Sequence, residues 1–285
     1  MKAELIFIED FLQFPEGPRF DDEGNLYFGD ALEKGFYRYS EKLGVEEIDA
    51  TAAGVGGAVI HQDGGVVYSG RQGILHYHPS SMTINRVNAF LGLEPLVNVN
   101  DIEADTNGNI YGGTLDFASL DRGLTPRPGF LFRLGIDGKV TKLSEVGLAN
   151  GLAFSPEDTT MYFSESGEGV FSYDLENSGA VAKRTKVVTL DDSDGLAIDK
   201  EGGIWVARYL NNHILHLDAY GNLIEAIETP FENVSSVVFG GYDMRELYIT
   251  GGVLMEMGKG GVAKIRTDIP GLKPHKTSVS ILNAN

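Results

Sequence analysis

The sequence contains six copies of a strand–turn–strand motif, and this repeat restricts the possible folds more than any other feature. Each copy has a short apolar segment, a turn rich in Asp, Glu and Gly, and a second segment that usually carries an aromatic residue. The copies begin at residues 16, 56, 100, 150, 194 and 235, so successive starts lie 40, 44, 50, 44 and 41 residues apart. A repeat of this length with four short strands is typical of β-propellers. The sequence therefore predicts an all-β, six-bladed β-propeller with four antiparallel strands per blade.

Further segments complete the predicted blades. Third strands are expected at 35–39, 73–77, 130–134, 169–173, 213–217 and 261–265. The N-terminal segment from about Ala3 to Ile8 is expected to add a strand to the sixth blade, which closes the ring and removes free sheet edges. Residues 117–129 contain several Gly and Pro residues and predict a loop insertion, a candidate lid. We expect a single domain over residues 1–285.

Composition narrows the possible partners. The chain has 41 acidic and 23 basic residues, a formal charge of −18, which disfavours nucleic acids and anionic membranes. It has no cysteine, so disulfides, thiolate catalysis and thiolate metal ligands are excluded. No segment approaches the ~20 apolar residues that span a bilayer, and the N-terminus does not resemble a signal peptide. We expect a cytoplasmic protein that acts on a small molecule, and the sequence leaves its oligomeric state open.

One position recurs at the start of every repeat. It is occupied in turn by Glu16, Gly56, Asn100, Asn150, Asp194 and Ser235. Because the first strand of each blade lines the central channel, these positions are expected to form one ring at one depth. Carboxylate and amide oxygens are the ligands that Ca²⁺ prefers, whereas Mg²⁺, Mn²⁺ or Zn²⁺ accept some of the same donors. The sequence therefore predicts one divalent cation in the channel, calcium above the others, held by Glu16, Asn100, Asn150 and Asp194.

Several short motifs follow one another along the chain. They are Glu16-Gly-Pro, Asn100-Asp101, Asn150-Gly-Leu-Ala-Phe-Ser-Pro, Asp194-Gly-Leu-Ala-Ile-Asp, Phe239-Gly-Gly and Gly271-Leu. In these motifs, from about residue 16 to residue 271, the sequence resembles the family of regucalcin (senescence marker protein), gluconolactonase and luciferin-regenerating enzyme. The resemblance implies a metal held by Glu16, Asn150 and Asp194, with Asn100 contacting metal, substrate or ordered water. It also implies hydrolysis of a cyclic ester.

One departure from the family pattern concerns the substrate. Sugar-lactone members often carry an Arg two residues before the Asn-Asp pair, where this chain has Asn98. An Arg side chain grips hydroxyls or a carboxylate through a rigid fork of donors that Asn cannot reproduce. The resemblance therefore supports the fold and the metal more strongly than it supports a sugar lactone.

These observations predict a metal-dependent lactonase in which Asp194 is the catalytic residue, as general base or as nucleophile. A bound cation polarises a lactone carbonyl and lowers the pKa of a coordinated water. Asn98, Asn100, Asp101 and Asp116 are the expected substrate-binding residues, and Asp101 also supports Asn100.

Two alternatives stay open. One is an organophosphate or other ester hydrolase, because diisopropyl fluorophosphatase has a similar ring, and the other is a non-catalytic propeller that binds a partner protein.

The histidines give weaker signals. His76 and His78 alternate along a predicted strand and therefore share a face, as two zinc ligands would. Their place in the outer half of a blade favours surface or packing roles. His61, in the second repeat, and the pair His213 and His216 are also weak candidates for metal binding.

Overall fold

The structure is a computed structural model that describes residues 3–176 and 178–282, and it contains six four-stranded antiparallel sheets. Residues 1–2, 177 and 283–285 of the predicted domain lie outside the described residues. The first strand of each sheet contacts the first strands of the two neighbouring sheets, and the sixth contacts the first, so the sheets form a closed ring. This arrangement confirms the predicted six-bladed β-propeller.

The blades follow one another along the chain. The chain enters at β1 (Glu4–Glu9), which belongs to blade 6. Blade 1 contains β2 (Pro15–Phe20), β3 (Leu26–Asp30), β4 (Lys34–Ser40) and β5 (Gly44–Ala53). Blade 2 contains β6 (Ala58–Ile60), β7 (Val66–Gly70), β8 (Gly73–His78) and β9 (Thr83–Arg86). A hairpin of β10 (Phe90–Leu91) and β11 (Glu94–Pro95) precedes blade 3, which contains β12 (Val99–Ala104), β13 (Ile110–Thr114), β14 (Gly129–Leu134) and β15 (Val140–Val146).

The second half of the ring has the same pattern. Blade 4 contains β16 (Leu148–Phe154), β17 (Thr160–Ser166), β18 (Gly169–Leu175) and β19 (Val181–Val188). Blade 5 contains β20 (Ser193–Ile198), β21 (Ile204–Arg208), β22 (His213–Leu217) and β23 (Leu223–Glu228). Blade 6 contains β24 (Asn233–Gly240), β25 (Glu246–Gly252), β26 (Gly260–Arg266) and β1. Every predicted third strand is present, and β1 pairs with β26, which confirms the predicted closure.

The hydrophobic core is divided among the interfaces between blades. One cluster combines residues of blades 1 and 2, in which Phe36 stacks on Tyr68 with ring centroids 4.1 Å apart. Another combines blades 5 and 6, in which Trp205 meets Phe239 edge to face at 5.8 Å. Because each blade buries apolar side chains against its neighbours, no blade can complete its core alone.

Glycines permit the inner strands to approach closely around the axis. A Cβ atom on Gly151 would lie 2.5 Å from the Leu196 nitrogen and 2.6 Å from the Asp194 carbonyl oxygen in the next blade. On Gly57 it would lie 2.5 Å from the Ile102 nitrogen. Backbone atoms cannot move aside as a flexible side chain can, so these positions exclude any larger residue.

The chain ends in a segment that the sequence did not predict, which we call the C-terminal strap (residues 271–282). It runs past the last strand and bonds to carbonyls at the far ends of other blades, with Leu272 donating to Ile198 at 3.0 Å and Thr277 donating to Ile60 at 2.8 Å. Beneath it lies a cavity of about 60 Å³ lined by the ends of inner strands and by residues 272–275. The strap therefore covers the channel at the face opposite the strand starts.

Helix is nearly absent from the part of the chain that the structure describes. The loop predicted for residues 117–129 contains a single short helix, α1 (Phe117–Leu120), between β13 and β14. Within the described residues, no helix has the length and apolar composition needed to cross a membrane.

Replacing Gly151 tests the packing of the inner strands. We expect Gly151→Ala to lower the free energy of unfolding by about 1–3 kcal/mol, because its methyl group would overlap backbone atoms of blade 5. The matched control is Gly147→Ala, whose Cβ would meet only the Glu165 side chain, at 3.3 Å, and should change stability by less than about 1 kcal/mol. Urea unfolding followed by circular dichroism measures both. Equal stability of the two variants would contradict the packing argument.

Candidate functional site

The predicted ring residues lie at irregularities of the inner strands. Five of the six inner strands carry one extra residue relative to their partner strand, at or directly after the ring position. Such a bulge interrupts the ladder and re-aims a side chain that would otherwise pack on a sheet face. The ring positions concerned are Glu16, Asn100, Asn150, Asp194 and Ser235. The bulges therefore explain why polar side chains are presented together at the start of the blades.

A chain of hydrogen bonds fixes the orientation of the two ring asparagines. Asn100 Nδ2 donates to the Ala149 carbonyl at 2.7 Å and to Asn150 Oδ1 at 2.7 Å. Asn150 Nδ2 in turn donates to Ser166 Oγ at 2.7 Å, and that hydroxyl donates to the Ser193 carbonyl. A carbonyl only accepts, so the Asn100 atom facing Ala149 must be nitrogen, and the Asn150 atom facing Asn100 must be oxygen.

This orientation places two acceptor oxygens against each other. The amide atom of Asn150 that faces Asn100 lies 3.1 Å from Asp194 Oδ1. Rotating the Asn150 amide would let its nitrogen donate to Asp194 Oδ1 and to the Ala149 carbonyl at 3.3 Å, with Asn100 turning so that its oxygen accepts. In the unrotated orientation the Asn150 oxygen faces the Asp194 carboxylate, and a cation or a proton on Asp194 relieves that contact.

Burial concentrates acidic groups at the same place. Glu16, Asp101 and Asp194 have exposed fractions of 4%, 7% and 3%. Burial raises the pKa of Glu16 well above its ordinary value, and the nearby Asp194 and Asp101 raise it further. Burial, followed by the proximity of Asp101, likewise raises the pKa of Asp194. Three carboxyl groups that disfavour one another's charge in a dry channel are stabilised by a positive ion.

An ion pair lies deeper in the channel. Arg19 Nη2 contacts Glu103 Oε2 at 2.7 Å, and both residues are buried. Burial raises the pKa of Asp101 to about 8; Arg19 opposes this shift and Glu103 adds to it. One guanidinium thus faces several carboxyl groups, so Arg19 cannot neutralise the whole cluster.

The donor set fits a hard divalent cation. Glu16 and Asp194 supply carboxylate oxygens, and Asn150 presents an oxygen that its hydrogen bonds hold in place. The Asn100 amide nitrogen donates hydrogen bonds to Asn150 and Ala149, and these bonds hold Asn150 in place. The Asn100 amide oxygen makes neither of these bonds and can act as a metal ligand. Oxygen-only ligands with two negative charges suit calcium better than a metal that prefers nitrogen.

The two remaining ring positions have other uses. A Cβ on Gly56 would lie 2.3 Å from Asn100 Oδ1, so glycine makes room for the Asn100 side chain. Ser235 Oγ donates to the Pro15 carbonyl, which ties blade 6 to blade 1, and lies 2.8 Å from Thr250 Oγ1. Neither position contributes an oxygen to the candidate metal centre.

The predicted substrate residues divide between the channel and its rim. Asp101 lies in the channel beside Asn100, with its Oδ2 3.5 Å from Asn100 Nδ2. Asn98 is exposed and has a left-handed backbone (φ 56°), a conformation that Asn tolerates better than Arg. A cleft of about 420 Å³ runs between Asn98 and residues 114–116 and 127–130. The rim residues are therefore placed around a groove rather than on the ring itself.

Asp116 has a structural task at this rim. Its carboxylate accepts from the Ser119 backbone at 3.3 Å and hydroxyl at 2.8 Å, which caps α1. It also pairs with Arg127 Nε at 2.9 Å, and these hydrogen bonds, with Arg127 first, lower the pKa of Asp116. Asp116 thus shapes the lid, and a contact with substrate stays a prediction.

Sequence reasoning missed Arg71 and Tyr209, which follow the second strands of blades 2 and 5. Arg71 forms a two-point contact with Asp121 at 2.6 and 2.7 Å, and its guanidinium lies 4.8 Å from the centre of the Phe117 ring. Burial, followed by Asp194, raises the pKa of Tyr209. Both residues occupy the same place in their blades, one residue beyond the second strand as the structure has it.

The chain is similar to several known proteins in sequence and in fold. A family model described as "SMP-30/Gluconolactonase/LRE-like region" matches residues 14–252. Pentonolactonase XacC of Haloferax volcanii is 30% identical over 247 residues, covering 82% of this chain and 80% of that protein. Regucalcin of Xenopus laevis is 27% identical over 262 residues, covering 88% and 86%. A solved luciferin-regenerating enzyme superimposes with a TM-score of 0.85 at 26% identity, covering 97% and 99%.

Removing the Asp116 carboxylate tests its role in the lid. We expect Asp116→Ala to make trypsin cleavage after Arg122 several-fold faster, because α1 loses its cap and Arg127 loses its partner. Cleavage is followed by mass spectrometry at the Arg122–Gly123 bond, because trypsin does not cut the Arg127–Pro128 bond. The control is Asp137→Ala, an exposed turn residue outside the lid, which should leave cleavage at this bond unchanged. Equal rates in both variants would show that Asp116 does not order the loop.

Proposed function

The chain belongs to the SMP-30/Gluconolactonase/LRE-like family, and on that premise we propose that it is a metal-dependent hydrolase that opens a small lactone. The observation that carries the proposal is the buried cluster of Glu16, Asp101 and Asp194, whose carboxyl groups raise one another's pKa. The similarity to a pentonolactonase supports a lactone as the substrate class.

Glu16, Asn150 and Asp194 are the proposed ligands of one divalent cation, with calcium preferred and Zn²⁺, Mg²⁺ or Mn²⁺ as alternatives. Asn100 orients Asn150 and offers its own oxygen to the metal or to the substrate. When bound, the cation supplies Lewis-acid chemistry, which polarises the lactone carbonyl and makes a coordinated water more acidic.

Asp194 is the proposed catalytic residue. Its buried carboxylate belongs to the ring of residues at the strand starts. In the proposed reaction this carboxylate accepts the proton that the attacking water loses. Burial among other acids keeps bulk water away from the group, which strengthens its interaction with charge on the substrate. Asp101, whose Oδ2 lies 3.5 Å from Asn100 Nδ2, is proposed to hold a substrate hydroxyl.

The rim favours an uncharged substrate. Asn98 offers an amide where an Arg would attract a carboxylate, and Arg71 and Arg127 already pair with Asp121 and Asp116. The net charge of −18 adds a field that repels anions. We therefore propose a neutral lactone rather than one with a free carboxylate.

A panel of substrates tests the proposed activity. The chelated protein is supplied with Ca²⁺, Mg²⁺, Mn²⁺ or Zn²⁺ singly, and acid release from aldonolactones, simple lactones and a fluorophosphate is followed by pH-stat. We expect lactone turnover that chelation abolishes and one or more metals restore. Turnover of the fluorophosphate alone would favour an organophosphate hydrolase instead. Absence of turnover in every metal form would overturn the enzymatic proposal and favour a binding propeller.

Asp194→Asn tests the proton acceptor. We expect the variant to keep its circular dichroism spectrum and lose at least about 100-fold in kcat, the usual scale for a general base. The control is Asp191→Asn, the same chemical change at an exposed position three residues earlier, which should keep full turnover. Calorimetric titration with Ca²⁺ then separates the two roles of Asp194. If the variant retains turnover and binds Ca²⁺ normally, Asp194 is neither base nor essential ligand.

A further inference from the structure

Blades 2 and 5 have the same strand pairing on either side of the turn that joins their first two strands, residues 61–65 in blade 2 and 199–203 in blade 5. The strand pairs Ile60–Val66 and Val67–His76 correspond to Ile198–Ile204 and Trp205–His216. Both turns close with the same pair of backbone hydrogen bonds. The corresponding positions are His61 and Asp199, Val67 and Trp205, and His76 and His216. The hydrogen-bond partners of His216 in blade 5 can therefore be compared directly with the surroundings of His76 in blade 2.

In blade 5 the buried histidine has a complete set of partners. Asp199 Oδ1 accepts from the turn amides of Glu201 at 2.9 Å and Gly203 at 2.8 Å. Its Oδ2 contacts Trp205 Nε1 at 3.0 Å and His216 Nε2 at 3.1 Å. The carboxylate thus accepts from every group around it, and the cluster is satisfied by hydrogen bonds alone.

Blade 2 places an imidazole where blade 5 has that carboxylate. His61 Nδ1 lies 2.8 Å from Asp63 Oδ1, and His76 Nε2 lies 3.2 Å from the same oxygen. The three ligand atoms all lie within 4.8 Å of one another. His61 and His76 are 6% and 3% exposed, whereas Asp63 reaches solvent. A Cβ on Gly65 would lie 2.1 Å from His76 Nε2, so glycine leaves the room that the ring occupies.

The hydrogen bonds define which atoms carry lone pairs. His61 Nε2 lies 3.1 Å from the Val279 carbonyl, which only accepts, so Nε2 carries the proton. His61 Nδ1 accepts from the Asp63 backbone N–H at 3.3 Å, and Asp63 Oδ1 accepts from the Gly65 N–H at 2.7 Å. His61 Nδ1 and Asp63 Oδ1 face each other at 2.8 Å, a separation that either a proton on Nδ1 or a shared metal ion bridges.

We infer that His61 Nδ1, Asp63 Oδ1 and His76 Nε2 form a second metal site, specific for a divalent transition metal such as Zn²⁺. Zinc bound tetrahedrally at about 2.0–2.1 Å holds its ligand atoms roughly 3.3 Å apart, close to the 2.8 and 3.2 Å seen here. The exposed side of Asp63 leaves a position for water. Two imidazoles and one carboxylate with an open position form a common donor set for such metals.

Protonation states agree with this assignment. Burial lowers the pKa of His76, so its ring is neutral, the form that binds a metal. Burial opposes ionisation of Asp63, but the Gly65 N–H and the two histidines outweigh it and lower its pKa to about 2. A neutral His76 ring and an ionised Asp63 carboxylate are the forms that the two shifts favour.

The site is connected to the C-terminal strap. The Nε2–H of His61 donates to Val279, the pattern by which a backbone carbonyl orients a metal-bound histidine. The neighbouring residues Gln62 and Thr277 also bond across the same junction, at 2.9 Å. A metal on His61 would thus fix the strap that covers the far end of the channel.

Zinc titration of a protein that lacks the central site tests the inference. The double variant Glu16→Gln/Asp194→Asn is stripped of metal, and Zn²⁺ is added in competition with a chromophoric chelator. We expect one Zn²⁺ to bind per chain. Nitrogen-15 spectra should show His61 and His76 shifting among the six histidines, while His216 stays unchanged. Added Ca²⁺ should shift none of them, because it prefers oxygen ligands.

Variants in the same background give the decisive comparison. His76→Gln and Asp63→Asn should each weaken Zn²⁺ binding by at least about tenfold, since even outer partners of a metal ligand have effects of this size. His216→Gln, the equivalent position in blade 5, should leave the affinity unchanged. Asp63 is at an exposed turn, so its variant remains informative if His76→Gln does not fold. Unshifted His61 and His76 resonances, or equal affinities in Asp63→Asn and its parent, would overturn the site.

Discussion

The close approach of the inner strands around the axis is the constraint on which the rest of the structure depends. Gly57 and Gly151 lie against backbone atoms of the next blade, with no room for a side chain. This contact brings the starts of the blades together, and the bulges next to it turn their side chains inward. The ring of oxygen donors is therefore a consequence of how the blades meet.

The same geometry explains why the candidate metal centre is acidic. Glu16, Asp101 and Asp194 are carried into a buried channel by strands whose positions the packing already fixes. Separating them would break the inner contacts, so their repulsion is relieved either by protonation, which the raised pKa values of Glu16 and Asp194 express, or by the proposed cation. Hydrogen bonds run from Asn100 in blade 3 through Asn150 and Ser166 in blade 4 to the Ser193 carbonyl in blade 5. They hold the amide groups of the two asparagines in place.

The two ends of the blades carry different chemistry. At the strand starts, carboxylate and amide oxygens form a centre suited to a hard cation. At the opposite face, blade 2 has His61 where blade 5 has Asp199 and Asp63 where blade 5 has Glu201, and these residues form a cluster with His76. The strap passes over this face and contacts both turns, with Leu272 bonding to Ile198 and Thr277 to Ile60.

The features that could be predicted from the sequence are those that depend on residues close together in the chain. The spacing of the repeats, the turn residues and the polar residue at each repeat start predicted the blades, the third strands, the closure by β1 and the members of the ring. These features are periodic or adjacent in the chain, so they are visible without knowing which distant residues meet. The same signals placed His76 on a strand but could not reveal its neighbours.

Only the tertiary structure decided the features that depend on distant contacts. The bulges, the orientation of Asn150, the cap that Asp116 gives to α1 and the meeting of His61 with His76 each involve atoms brought together by packing. The strap has no repeat pattern, and its hydrogen bonds join it to residues far away in the chain, so its course could not be predicted. The sequence by itself determined which residues are available for chemistry, and the closure of the ring decided which of them act together, because distances across the channel are set by how the blades pack.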